Sequence, residues 1–167
     1  MARLTQVISG GQTGVDQASL LAAKDSGLTI GGWCPPNRAC EIGEIPAGFP
    51  LRPTPQDRSP LALEVPHSQR TEWNVRDSDA TLILRPATYC MRDLGSEYTA
   101  ACAARLGRPT LICDPSDAKA AQCISHFIES LQIETLNIAG PRESQAAGIG
   151  EKVYVQLTRV FAAKAAR

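Results

Sequence analysis

The sequence predicts an α/β fold: an open parallel sheet of about five or more strands, helices on both faces, and a proline-rich insertion after the second strand. Three observations predict it. Short apolar runs alternate with amphipathic segments along the whole chain, the pattern of helices laid on a parallel sheet. Residues 80–84 (A-T-L-I-L) are apolar except for Thr81, as a strand covered on both faces must be. Residues 4–9 (L-T-Q-V-I-S) run straight into Gly10-Gly11-Gln12-Thr13-Gly14, and a helical period begins at Val15.

Taken in order, residues 4–9 form the first strand. Val15, Ala18, Leu21 and Ala22 then share one helical face. Thr13 and Asp16 have capping-box spacing, and Ser26-Gly27 ends the helix. Residues 28–33 read as a second strand entering a turn. Residues 34–66 hold eight of the twelve prolines and no sustained period. A segment that long is a lid, a binding loop or disordered. Ile42, Ile45, Phe49, Leu51, Leu61, Leu63 and Val65 give it apolar anchors, so the expectation is an ordered excursion folded back over the site. A short helix at 70–76 follows, then the third strand at 80–84. Residues 85–96 read as a loop and 97–106 as an alanine-rich helix. The fourth strand is 110–113, and 114–117 offers a turn and an N-cap. The next helix carries Ala120, Ile124, Phe127, Ile128 and Leu131 on one face. The fifth strand is 135–138, and Gly140 to Ser144 make a second glycine turn. The last helix has Val153, Leu157, Val160 and Phe161 in phase. The whole, 1–167, reads as a single domain.

Lys plus Arg equal Asp plus Glu at 17 each, so no basic footprint for nucleic acid exists. No apolar run approaches the roughly 18 residues of a membrane span, and the start lacks a signal-peptide pattern. The expectation is a cytoplasmic protein with no membrane or nucleic-acid partner. Six cysteines, at 34, 40, 90, 102, 113 and 123, form no C-x-x-C pair. They read as buried free thiols; Cys34 and Cys40 are the alternative metal ligands, although no histidine is near. No metal site is expected.

In a parallel sheet the loops after the strands emerge at one edge, where ligands bind. That rule selects loops 10–14, 32–38, 85–96, 114–117 and 140–144, and disfavours Asp77 and Asp79. The first turn is neither the dinucleotide fingerprint nor a Walker loop, because Ser9 stands at the first glycine position and no Gly-Lys-Ser/Thr follows. Two glycine turns at one edge nevertheless suit a phosphate or another anion. Asp16 either caps its helix or accepts from a ligand hydroxyl or ring N–H. Arg142 is a phosphate clamp or a partner of Glu143. Arg70, Thr71 and Asn74 meet the ligand or fix the lid, and Arg38 lies in the lid, solvated or at the site. His67 and His126 are the two histidines, and no catalytic constellation stands out. The residues favour binding a phosphorylated small molecule over turning one over.

Four segments, S-G-G-Q-T-G-V-D (9–16), G-G-W-C-P (31–35), R-T-x-x-N-V-x-D-S-D-A-T-L-I (70–83) and N-I-A-G-P-R-E-S (137–144), resemble the molybdenum-cofactor carrier family. That family is related to the lysine-decarboxylase-like cytokinin phosphoribohydrolases. The resemblance spans nearly the whole chain. It implies a Rossmann-like fold and a cytoplasmic homo-oligomer that binds molybdenum cofactor (molybdopterin), with molybdoenzymes as recipients. Carried over, Gly10, Gly11, Gln12, Thr13 and Gly14, with Gly140, Pro141, Arg142, Glu143 and Ser144, would line the ligand's anionic end, with Arg70 and Asn74 close by; Asp16 and Arg38 join the expected binding set from their own positions. After the third strand the family shows a Gly-Gly-Thr-like turn; here Gly95 and Ser96 stand in its place, and Thr99 follows. The phosphoribohydrolases carry a glutamate where this chain has Tyr98, with Glu97 one residue off. Cleavage of a nucleoside monophosphate, which needs that carboxylate, and a nucleotide-sensing module are the alternative readings.

Overall fold

The computed structural model describes residues 3–89 and 92–165. Five parallel strands form the central sheet: β1 (Gln6–Ile8), β2 (Thr29–Gly31), β3 (Ala80–Leu84), β4 (Thr110–Cys113) and β5 (Thr135–Ala139). Their spatial order is β2-β1-β5-β3-β4. Val7 is in register with Leu136, and Leu82 with Ile138. The sheet is thus zipped at its centre by strands far apart in sequence. Every residue of β3 is buried, which explains why its run is apolar except for Thr81.

Five α-helices cover the sheet: α1 (Val15–Asp25), α2 (Ser68–Arg76), α3 (Leu94–Arg105), α4 (Ala120–Ser130) and α5 (Ile149–Ala165). α1 packs along α5 with α4 beside it, and α2 packs on α3 as a separate group. The main core joins Val15, Ala22 and Ala23 of α1, Ile124 and Ile128 of α4, and Val153, Leu157, Val160 and Phe161 of α5 to the strands. Those last four are the residues whose period predicted the helix. Leu131, placed on the α4 packing face, is 48% exposed, because α4 ends at Ser130 and Leu131 turns away as its C-cap.

The insertion is ordered. Residues 33–34 pair with 52–53, and 39–40 pair with 43–44 in a hairpin. Ile45 and Leu51 join Leu20 and Cys34 in a second apolar cluster against which Phe49 packs. Ile42, Leu61 and Leu63, expected as anchors, are instead 77%, 68% and 64% exposed; the insertion is held by Ile45, Leu51 and buried Val65, with polar ties supplying the rest. No helix of the described residues is long and apolar enough to cross a membrane.

Three local expectations are corrected. Gly14, not Thr13, caps α1, at φ 74 and with no side-chain cap bond; the Thr13 hydroxyl is spent on Glu41 instead. α3 begins at Leu94, three residues before Glu97, because Asp93 caps it by accepting from the Ser96 N–H at 3.2 Å. Asp117 does not cap α4, whose N-cap is Lys119; its carboxylate accepts the Lys119 N–H at 2.8 Å within the preceding turn. Among the cysteines, Cys34 and Cys102 are buried, Cys40 and Cys113 partly so, and Cys123 is exposed; Cys90 lies outside the described residues. No group of three or more His, Cys, Asp or Glu fit to hold a metal occurs among the described residues.

Candidate binding cleft

A cleft of about 230 Å³ opens at the carboxyl edge of β1, β5 and β3. The strand order reverses there, the place where open α/β sheets bind ligands. Gln12 and Asp16 enter from the β1 turn. Arg70 and Thr71 descend from α2, Arg92 to Thr99 bring the start of α3, and Gly140, Arg142 and Gln145 come from the β5 turn.

Asp16 and Arg70 make the floor. Asp16 is 2% exposed. One of its oxygens accepts from the Gln12 N–H at 3.1 Å and from Arg70 Nη1 at 3.3 Å. Burial pushes the Asp16 carboxyl above its ordinary range, and Arg70 and the Gln12 N–H pull against that shift. The Arg70 guanidinium lies across Gly10 so closely that a Cβ there would sit 1.8 Å from Nη1. A side chain at position 10 would therefore displace the guanidinium from its place. Arg70 Nε is buried and has no hydrogen-bond partner. Buried donors rarely stay unpaired; this atom has almost no exposed surface, while Arg70 itself lines the cleft.

The two glycine turns are one unit. A Cβ at Gly14 would lie 2.6 Å from the Pro141 carbonyl oxygen and 2.7 Å from the Glu143 nitrogen, and the Val15 N–H donates to Pro141 at 3.2 Å. Glu143 accepts from the Gly148 and Gly150 N–H groups at the start of α5. It is not the partner of Arg142, whose Nε lies 4.0 Å from Glu41.

The predicted residues divide accordingly. Gln12, Asp16, Arg70, Gly95, Ser96, Thr99, Gly140 and Arg142 line the cleft together. Thr13, Gly14, Glu143 and Ser144 line an adjoining open groove. Pro141 supplies the carbonyl that holds the two turns together, and Gly11 lies under Leu51 and Ile45. Arg38 does not reach the cleft: its guanidinium donates to the carbonyls of Leu51 (2.9 Å), Pro46 (3.0 Å) and Phe49 (2.9 Å) and knots the insertion. Asn74 is likewise a brace, accepting from the Trp33 N–H at 2.8 Å and donating to the Trp33 carbonyl at 2.9 Å. Loops 32–38 and 114–117 contribute nothing to the cleft wall; Asp114 instead accepts from the Ala87 N–H at 2.8 Å.

Sequence reasoning missed Asp93, Arg92 and Gln145 in the cleft. The Asp93-x-x-Ser96 capping spacing was the available signal for the first. It also missed Glu41, which no spacing could reveal, since its partners are 28 and 103 residues away. Glu97, the carboxylate that cleavage of a nucleotide would need, is exposed, pairs with Arg92 at 3.6 Å and does not line the cleft.

Beginning the count at β5 turns the strand order into 3-2-1-4-5, the Rossmann arrangement cut open and rejoined elsewhere. A family model, "Circularly permutated YpsA SLOG family", matches residues 7–161. A crystal structure described as "Putative molybdenum carrier protein" from Syntrophus aciditrophicus SB is 36% identical, with a TM-score of 0.83 and 96% of each chain covered. No curated protein matches. The permuted sheet, the paired glycine turns and the match over nearly the full length agree: the chain belongs to the circularly permutated YpsA SLOG family.

Proposed function

We propose that the protein binds and carries a phosphorylated pterin, with molybdenum cofactor as its cargo. The observation that carries this reading is that Arg70, Arg92 and Arg142 all line one cleft. Three guanidinium groups suit a phosphate, which each can bind in bidentate fashion. The Asp16 and Asp93 carboxylates line the same cleft and offer acceptors to the N–H and O–H groups of a pterin ring. The likeness to a protein described as a molybdenum carrier supports the cargo. On this reading the protein acts in the cytoplasm as a homo-oligomer that passes its cargo to molybdoenzymes.

The test is protein purified without oxygen from cells that make molybdenum cofactor. Molybdenum is measured by elemental mass spectrometry and pterin by fluorescence after oxidation. The expected result is both in comparable amounts, near one per chain, and their loss in Arg142→Ala. Neither metal nor pterin in the wild type would overturn the assignment and turn the search to nucleotides, beginning with AMP.

A further inference from the structure

Between the two glycine turns, beside the Arg70 cleft, a set of donors converges on one carboxylate. The Thr13 hydroxyl, the Ser144 N–H (3.2 Å) and the Ser144 hydroxyl all donate to Glu41, and Arg142 Nε stands 4.0 Å away. The donors belong to the turns, and the acceptor comes from the tip of the 39–44 hairpin in the insertion. The Glu41 N–H is fixed separately, donating to Gln12 Oε1 at 2.8 Å. One residue therefore ties the insertion to both turns.

Two details mark this as an anion cradle. Thr13 Oγ accepts the Glu143 N–H at 3.2 Å, which leaves its own proton directed at Glu41. Glu143 lines the same groove, and its carboxylate is engaged by the Gly148 and Gly150 N–H groups. Burial opposes ionisation of Glu41, yet the bonds from Ser144 and Thr13 outweigh it and hold the carboxyl below its ordinary value. The cradle therefore prefers a charged occupant.

We propose that this cradle is an oxyanion subsite and that Glu41 is its built-in competitor: a phosphate-class oxyanion takes Thr13, Ser144 and Arg142, and its entry releases the insertion at residues 39–45. The proposal rests on the binding reading above and adds a second anion position to it. Two anions cannot share the same three donors, because like charges a few ångströms apart repel. Gln12 and Arg142 connect the two places, since both line the Arg70 cleft and both touch Glu41. A ligand in the cleft and the latch therefore act on the same side chains.

The probe is inorganic phosphate, with chloride at matched ionic strength as control. In the wild type, phosphate raises amide hydrogen exchange at 39–45 and chloride does not. Glu41→Gln, which keeps the shape and removes the charge, binds phosphate about tenfold tighter by calorimetry, as expected if the competitor fills the cradle about nine-tenths of the time. Adding Ser144→Ala removes that gain. Equal or weaker phosphate binding by Glu41→Gln overturns the proposal. So does wild-type exchange at 39–45 that is indifferent to phosphate, a readout independent of how the variant folds. Phosphate behaviour as expected in a chain that carries neither pterin nor molybdenum overturns the carrier reading alone. A loaded chain with no phosphate response overturns the latch alone.

Discussion

Replacing Arg70 by alanine should destabilise the fold by an amount that depends on pH. The substitution strands Asp16, 2% exposed, with the Gln12 N–H and the Ser9 side chain left to support it. Breaking a buried pair from one side typically costs about 3–5 kcal/mol. Here a ceiling applies, because Asp16 can escape by taking a proton. From its ordinary value of 3.8, protonation at pH 7 costs about 4.4 kcal/mol, and at pH 5 about 1.6 kcal/mol, at 1.36 kcal/mol per unit. The sign follows from linkage. An acid whose folded pKa lies above its unfolded value binds its proton longer in the folded chain, so stability falls as pH rises above 3.8. The assay is urea denaturation of wild type and Arg70→Ala at pH 7 and pH 5. The expected penalty is about 3–4 kcal/mol at pH 7, shrinking by at least half at pH 5. Adding Asp16→Asn should restore most of the loss at pH 7. A penalty equal at both pH values would refute the reasoning, because it would show that Arg70 contributes packing and not charge.

Three further outcomes follow from the braces around the site. Gly14→Ala places a Cβ within 2.7 Å of backbone atoms of the second turn at φ 74, and thermal melting should show a loss of about 2 kcal/mol or more; an unchanged midpoint would mean that the turns are not in contact. Asn74→Ala leaves the Trp33 N–H and carbonyl without their partners, costing about 1–3 kcal/mol for each group kept from water; Asn74→Asp, which retains only the acceptor, should fall between, as chemical denaturation would read. Glu143→Gln removes the charge from the start of α5 and should cost about 1 kcal/mol in low salt and less in high salt; a salt-independent loss would exclude the dipole contribution.

What the sequence made legible was whatever local period encodes. The five strands, the core face of α5 and the sheet edge at which the cleft opens follow from spacing within a dozen residues; on α1 the period misplaces one residue, since Leu21 is 43% exposed and Leu20 is buried in its stead. What stayed hidden depended on partners brought together by the fold. Thr13-x-x-Asp16 has capping spacing, yet Thr13 turns to Glu41 and Asp16 to Arg70, 28 and 54 residues away. An arginine in a proline-rich lid looks the same whether it faces ligand or, as Arg38 does, a ring of carbonyls. Asn74 is similar: one amide imitates a strand's hydrogen-bonding edge for Trp33, and nothing in R-T-E-W-N-V-R distinguishes that use from binding.

The strand order also bears on how the chain is made. β5, the last in chain order of these five strands, occupies the centre of the sheet, and it joins β1, whose Ile8 pairs with Asn137. Without that strand the sheet offers β1 only β2 as a neighbour and β3 only β4, with no sheet contact between the two pairs. Synthesis therefore delivers two halves that wait for a keystone, and loop closure over such a separation is slow. Truncation before residue 135 should leave a chain that cannot hold its cleft, while the nascent protein depends on β1 and β3 staying unpaired with other edges until the middle arrives.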